Sequence, residues 1–106
     1  MYDILLRESD PAVVDFELDL GWAVAAGADP LALFDKYPGR FKLLHVKDMN
    51  AEGQSVVVGQ GTVDFAGIFA QSEKAGALFY IVEYEGREEP MESVRASAAY
   101  LKNMTY

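Results

Sequence analysis

The chain has 106 residues, 51% of them apolar, with 17 acidic against nine basic side chains and a formal charge of −8. That size and composition fit one small packed domain, residues 1–106, and the charge repels phosphate backbones and anionic bilayers, so neither nucleic acid nor membrane is an expected partner. The absence of cysteine excludes disulfides, thiolate nucleophiles and cysteine-held zinc, and MYDILLRESD has no basic stretch leading into an apolar one, so the expected compartment is the cytoplasm.

Asp15 to Leu20, DFELDL, alternates apolar Phe16, Leu18 and Leu20 with carboxylates, which is the period of a strand with one apolar and one acidic face. GWAVAAG reads as a small-residue connection. Asp29-Pro30 then supplies a cap and a first-turn proline for a helix through LALFDKY, with Leu31, Phe34 and Tyr37 along one side and Pro38-Gly39 as its stop. Phe41 to Val46 is a strongly apolar strand. The glycine-rich GQGTVDF leads into a helix expected at 64–75 and closed by Gly76, and Leu78 to Val82 is a third apolar strand. After the polar EYEGREE, Pro90 opens a last helix in which Met91, Val94, Ala98 and Leu101 define an apolar face. The connections are too long for hairpins and the strand cores too apolar for a sheet wetted on one side. Both features imply an α/β fold of about three parallel strands alternating with helices.

Each strand ends in an ionisable residue: Asp19, then His45, the only histidine, then Glu83. Ligands of α/β proteins gather at the carboxyl ends of parallel strands, so three residues distant in the chain are expected to converge. Two carboxylates and an imidazole suit Mn²⁺, Mg²⁺, Co²⁺ or Zn²⁺. Each position also has a plainer reading: Asp19 as a helix cap or turn residue, and His45 as a partly buried histidine bonded to a backbone carbonyl. Glu83, following LFYIV, must be paired, protonated or coordinated if it points inward. Alternation puts Lys47 on the side of His45, and Glu85 on that of Glu83. Lys47 is a candidate to pair with a carboxylate or hold a substrate, and otherwise a solvated lysine at a loop entrance. Trp22 is a candidate sugar-stacking wall or a packing residue. Gly59 and Gly61 suggest a tight loop able to bind an anion, without matching a nucleotide-binding signature.

FELDLGWAVAAGADPLALFDKYPGRFKLLHVKDM, VGQGTVDFAGIF, YIVEYEG and ESVRASAAYLK, in that order, together resemble the C-terminal portion of the sugar phosphate isomerase/epimerase family, the xylose-isomerase-like TIM barrels. The resemblance implies a partial (β/α)₈ barrel and a divalent metal held by a glutamate, an aspartate, a histidine and a second glutamate on successive late strands. The aspartate is similar to Asp19 in LDLGW, the histidine to His45 in HVKD and the second glutamate to Glu83 in IVEYE. The other glutamate belongs to a strand preceding the one with Asp19, and Met1 falls in what looks like the helix after that strand, so one ligand is expected to be missing. The chain resembles roughly the last two fifths of an enzyme, since such a barrel takes about 250 residues.

The resemblance further implies isomerase, epimerase or dehydratase chemistry on a sugar, sugar phosphate or cyclitol. A proton moves next to a carbonyl through an enediolate, with Glu83 as acid/base; Trp22 and Lys47 stay the candidate substrate contacts read from the residues themselves. Without the earlier strands the chain is expected to be weak or inactive alone, and whether it acts as an enzyme stays open. The alternative is a non-catalytic structural or assembly module. An abasic-site endonuclease, built on the same barrel, is disfavoured by the acidic charge. Three strands cannot close a barrel, so self-association or a complementary chain is expected to cover the open faces.

Overall fold

In the computed structural model, which describes residues 1–86 and 89–106, strands alternate with helices as the periodicity predicts. Arg87 and Glu88, in the EYEGREE connection, lie outside the described residues. A first helix, α1 (Tyr2–Glu8), precedes β1 (Phe16–Asp19), and α2 (Leu20–Ala25) follows β1 without a gap. GWAVAAG is therefore largely helical rather than an irregular connection. Asp19 starts that helix, its Oδ1 accepting the Trp22 N–H at 2.9 Å. Gly21 lets α2 sit close: a Cβ there would stand 2.8 Å from the Lys47 carbonyl oxygen and 2.9 Å from the Met49 Cγ. α3 (Pro30–Lys36) starts as expected, capped by Asp29 and with Pro30 in its first turn, and it buries Phe34.

β2 (Phe41–Val46) is followed by a short antiparallel hairpin that periodicity did not reveal, β3 (Asp48–Met49) paired with β4 (Ser55–Val56). The single helix expected at 64–75 is two, α4 (Phe65–Ala70) and α5 (Ser72–Ala75). They are divided by a tight turn in which the Gln71 N–H donates to the Ile68 carbonyl three residues back. Asp64 caps α4 and Gly76 closes α5 at φ +80°. β5 (Phe79–Val82) and α6 (Pro90–Asn103) complete the described elements.

The sheet is parallel, in the order β1-β2-β5. Its register sets Leu18, Leu44 and Tyr80 in one row and Asp19, His45 and Ile81 in the next. Because side chains alternate across a strand, these rows face opposite ways. The first faces the helices, where Leu18, Leu44 and Val46 meet Phe34, Phe65, Ile68 and Phe69 in the buried core. The second lines the concave side, which in a closed barrel would be filled from opposite strands. This is part of a TIM-barrel wall, as expected.

β5 carries the cost of being only part of a wall. Its four residues, Phe79, Tyr80, Ile81 and Val82, are 38–62% exposed. The face expected for α6 is corrected in its first half, while Leu101 packs against the core as expected. Met91 and Val94 are 59% and 55% exposed, whereas Ser93 and Ser97 are buried. α6 is turned so that the Ser97 hydroxyl accepts the Val58 N–H at 3.3 Å, which only a polar side chain can do.

Candidate metal centre

The concave row converges at the carboxyl ends of the three strands. β1 ends on Asp19, whose carboxylate is oriented by its capping duty: Oδ1 is engaged by the Trp22 N–H, which leaves Oδ2 to face the sheet. β2 presents His45, with Nδ1 3.4 Å from Asp19 Oδ2 and 3.3 Å from Glu83 Oε2. Glu83 is fixed just past β5 by its own N–H, which donates to the Val46 carbonyl at 3.2 Å. One donor atom from each of Asp19, His45 and Glu83 lies within 4.8 Å of the other two. The ring of His45 thus looks onto carboxylates rather than a backbone carbonyl, and Asp19 is both a helix cap and a member of the cluster.

Lys47, two residues past His45 on the same face, closes the cluster from one side. The side chain is 2% exposed, so the reading of a solvated loop lysine is overturned. Its Nζ lies 2.7 Å from Glu85 Oε1, 2.9 Å from Glu83 Oε2 and 3.1 Å from Asp19 Oδ2, and 5.5 Å from the centre of the Trp22 ring. Burial pulls the ammonium's pKa down, but the carboxylates of Glu85, Glu83 and Asp19 more than offset this and hold it above the ordinary lysine range. Trp22 is itself half exposed and walls the cluster from α2.

Two residues of this region escaped the sequence reading. Glu17 stands two residues before Asp19 on the concave face, with Oε1 3.5 Å from His45 Nε2; the alternation in DFELDL carried that signal. Asp48, next to Lys47, is buried and accepts four backbone N–H groups. Gly59 and Gly61 donate to Oδ2 at 2.9 Å each, and Met49 and Val63 to Oδ1 at 3.0 and 3.2 Å. The anion expected for the glycine loop is therefore this aspartate of the same chain. A Cβ on Gly61 would collide with Asp48 Oδ1, which explains the glycine.

No family model matches the chain. A crystal structure of a sugar phosphate isomerase/epimerase from Parabacteroides distasonis superposes with a TM-score of 0.82 at 40% identity, over 95% of this chain and 35% of that one. The superposition extends over nearly the whole of this chain. The chain is similar to one part of that isomerase/epimerase. Inosose dehydratases are also similar: that of Lacticaseibacillus casei is 28% identical, over 86% of this chain and 36% of that protein. That of Clostridium beijerinckii is 27% identical, over 97% of this chain and 42% of that protein. The chain thus spans 35–42% of the length of these relatives.

Within the isomerase/epimerase fold the cluster fits a divalent ion on two observations. Donors that share one ion at about 2.0–2.2 Å stand about 3–3.5 Å from one another, and His45 Nδ1 meets its two carboxylate oxygens at 3.3 and 3.4 Å. Glu83 Oε2 is also shielded from solvent and accepts no well-directed hydrogen bond, despite two nitrogens nearby. Its one close cation is the Lys47 ammonium at 2.9 Å, off the hydrogen-bonding direction, which leaves a lone pair of this buried oxygen open to an ion.

Proposed function

We propose that the chain forms the part of a divalent-metal-dependent sugar, sugar phosphate or cyclitol isomerase, epimerase or dehydratase that carries three metal ligands. Asp19 Oδ2, His45 Nδ1 and Glu83 Oε2 would hold the ion, with Mn²⁺, Mg²⁺, Co²⁺ and Zn²⁺ all matching oxygen and imidazole donors. The bound ion supplies a Lewis acid that draws electron density from a substrate carbonyl. Glu83, at the edge of the crevice and anchored to β2 through its backbone N–H, takes or returns the proton on the carbon beside that carbonyl. Lys47 offers an ammonium to a substrate hydroxyl, and Trp22 gives an apolar face against which a sugar or cyclitol ring can lie. The substrate class is suggested by the names of the inosose dehydratases and the isomerase/epimerase that the chain resembles.

The observation that carries this reading is the convergence of Asp19 Oδ2 and Glu83 Oε2 on His45 Nδ1, at 3.4 and 3.3 Å. Calorimetric titration with Mn²⁺ tests it. His45→Ala should weaken binding by more than about tenfold, since losing even an outer partner of a ligand costs about that much; equal affinity in both chains would sink the assignment. Turnover by the chain alone should be absent or weak, because three ligands leave the ion under-coordinated and most of the barrel wall is lacking. The exposed β5 favours a second reading, a non-catalytic assembly module, in which complementary barrel strands would bind without any turnover appearing.

A further inference from the structure

We propose that Lys47 is an internal counter-cation that competes with the divalent ion for Asp19 and Glu83 and so sets the affinity of the centre; the proposal rests on the metal reading above. The contacts are specific to atoms. The ammonium lies 3.1 Å from Asp19 Oδ2 and 2.9 Å from Glu83 Oε2, the same two oxygens that face His45 Nδ1. A dication between Asp19, His45 and Glu83 and an ammonium on those oxygens draw on the same lone pairs and repel one another. That repulsion is little screened, because the lysine side chain is only 2% exposed.

The third partner decides where the ammonium stays when an ion arrives. Glu85 Oε1, at 2.7 Å the nearest acceptor to Nζ, is not among the three clustered donors. It keeps the ammonium beside the centre once Asp19 and Glu83 turn to the ion. Before that, the ammonium neutralises carboxylates that would otherwise repel each other, so the ligands stay close together without metal. The stem cannot easily withdraw: Gly21 of α2 packs against the Lys47 Cγ and the Trp22 ring flanks its head. Lys47 is thus a positioning residue for the ligands and a brake on metal affinity.

Two measurements test this. Lys47→Met, checked for folding by circular dichroism, should bind Mn²⁺ roughly tenfold more tightly than the unaltered chain by calorimetry, the scale of removing one neighbouring unit charge. In the unaltered chain the Lys47 ε-methylene NMR signals should move on titration with Zn²⁺, in step with metal occupancy. Equal or weaker Mn²⁺ affinity in folded Lys47→Met, or a lysine signal indifferent to bound Zn²⁺, overturns the brake while leaving the metal centre standing. Absence of metal binding in both chains overturns the metal reading and this proposal with it. If Lys47→Met fails to fold, the NMR titration decides.

Discussion

Asp48 shows how much one buried side chain can organise. Four backbone N–H groups point at its two oxygens, and hydrogen bonds to a charged group are worth about 1.5–3 kcal/mol each. Asp48→Asn puts an NH₂ group against at least one pair of donors, so it should cost about 3 kcal/mol in urea unfolding. Tyr2 gives a pH signature. Its hydroxyl donates to the Glu17 carbonyl at 3.0 Å, and burial, then the Glu17 charge, pushes its pKa up to about 12. The folded chain therefore keeps the phenol proton after an unfolded chain, at about 10, has lost it. Stability is whole below pH 10 and declines as pH rises from about 10 to 12; Tyr2→Phe should flatten that decline in urea midpoints taken across the same range. The convergence of Asp19, His45 and Glu83 was legible because each stands at the carboxyl end of a strand. Asp48 was not, because its partners are backbone N–H groups, and the sequence names no backbone partner.

At the scale of elements, strands were easier to read than helices. β2 falls where the apolar run puts it, but α2 is hidden in small residues whose helix depends on the Asp19 cap, and the expected face of α6 turns inward only at its C-terminal half, where Leu101 meets the core. Periodicity finds the apolar face of α6; it does not see that Val58 needs a hydroxyl. Ser97→Ala removes that acceptor from a buried N–H and should cost about 1–3 kcal/mol. Met91→Ser with Val94→Ser should leave the unfolding midpoint nearly unchanged, as expected for exposed sites. Phe34, fully buried against Phe41 with ring centres 5.6 Å apart, is the opposite case: Phe34→Ala should cost about 3–5 kcal/mol by thermal or urea melting. Arg40 ties α1 to the start of β2, donating to the Leu6 carbonyl and the Ser9 hydroxyl at 2.8 Å each. Nothing in the residue pattern announced that tie.

Across the whole molecule, the core lies mainly on the helix side of the sheet, while Ile81 and Phe79 on the concave side and, among the described residues, the outer edge of β5 meet solvent. Exposed parallel edges and apolar patches of this kind drive association. Light scattering should therefore report mass rising with concentration, and a strictly monomeric chain at every concentration would contradict this expectation. The incomplete wall was legible from length and strand count, since the alternation of strand and helix stops at three; the loss of cover over β5 comes from the same count.

Trp22 is the only tryptophan in the chain, it hangs from the Asp19 cap, and its ring stands 5.5 Å from the Lys47 ammonium. A cation near an indole perturbs its emission, so the chain carries its own optical probe at the one place where its chemistry is expected. Intrinsic fluorescence, with no label and no engineered tryptophan, would track ions, sugars and cyclitols as they enter or leave.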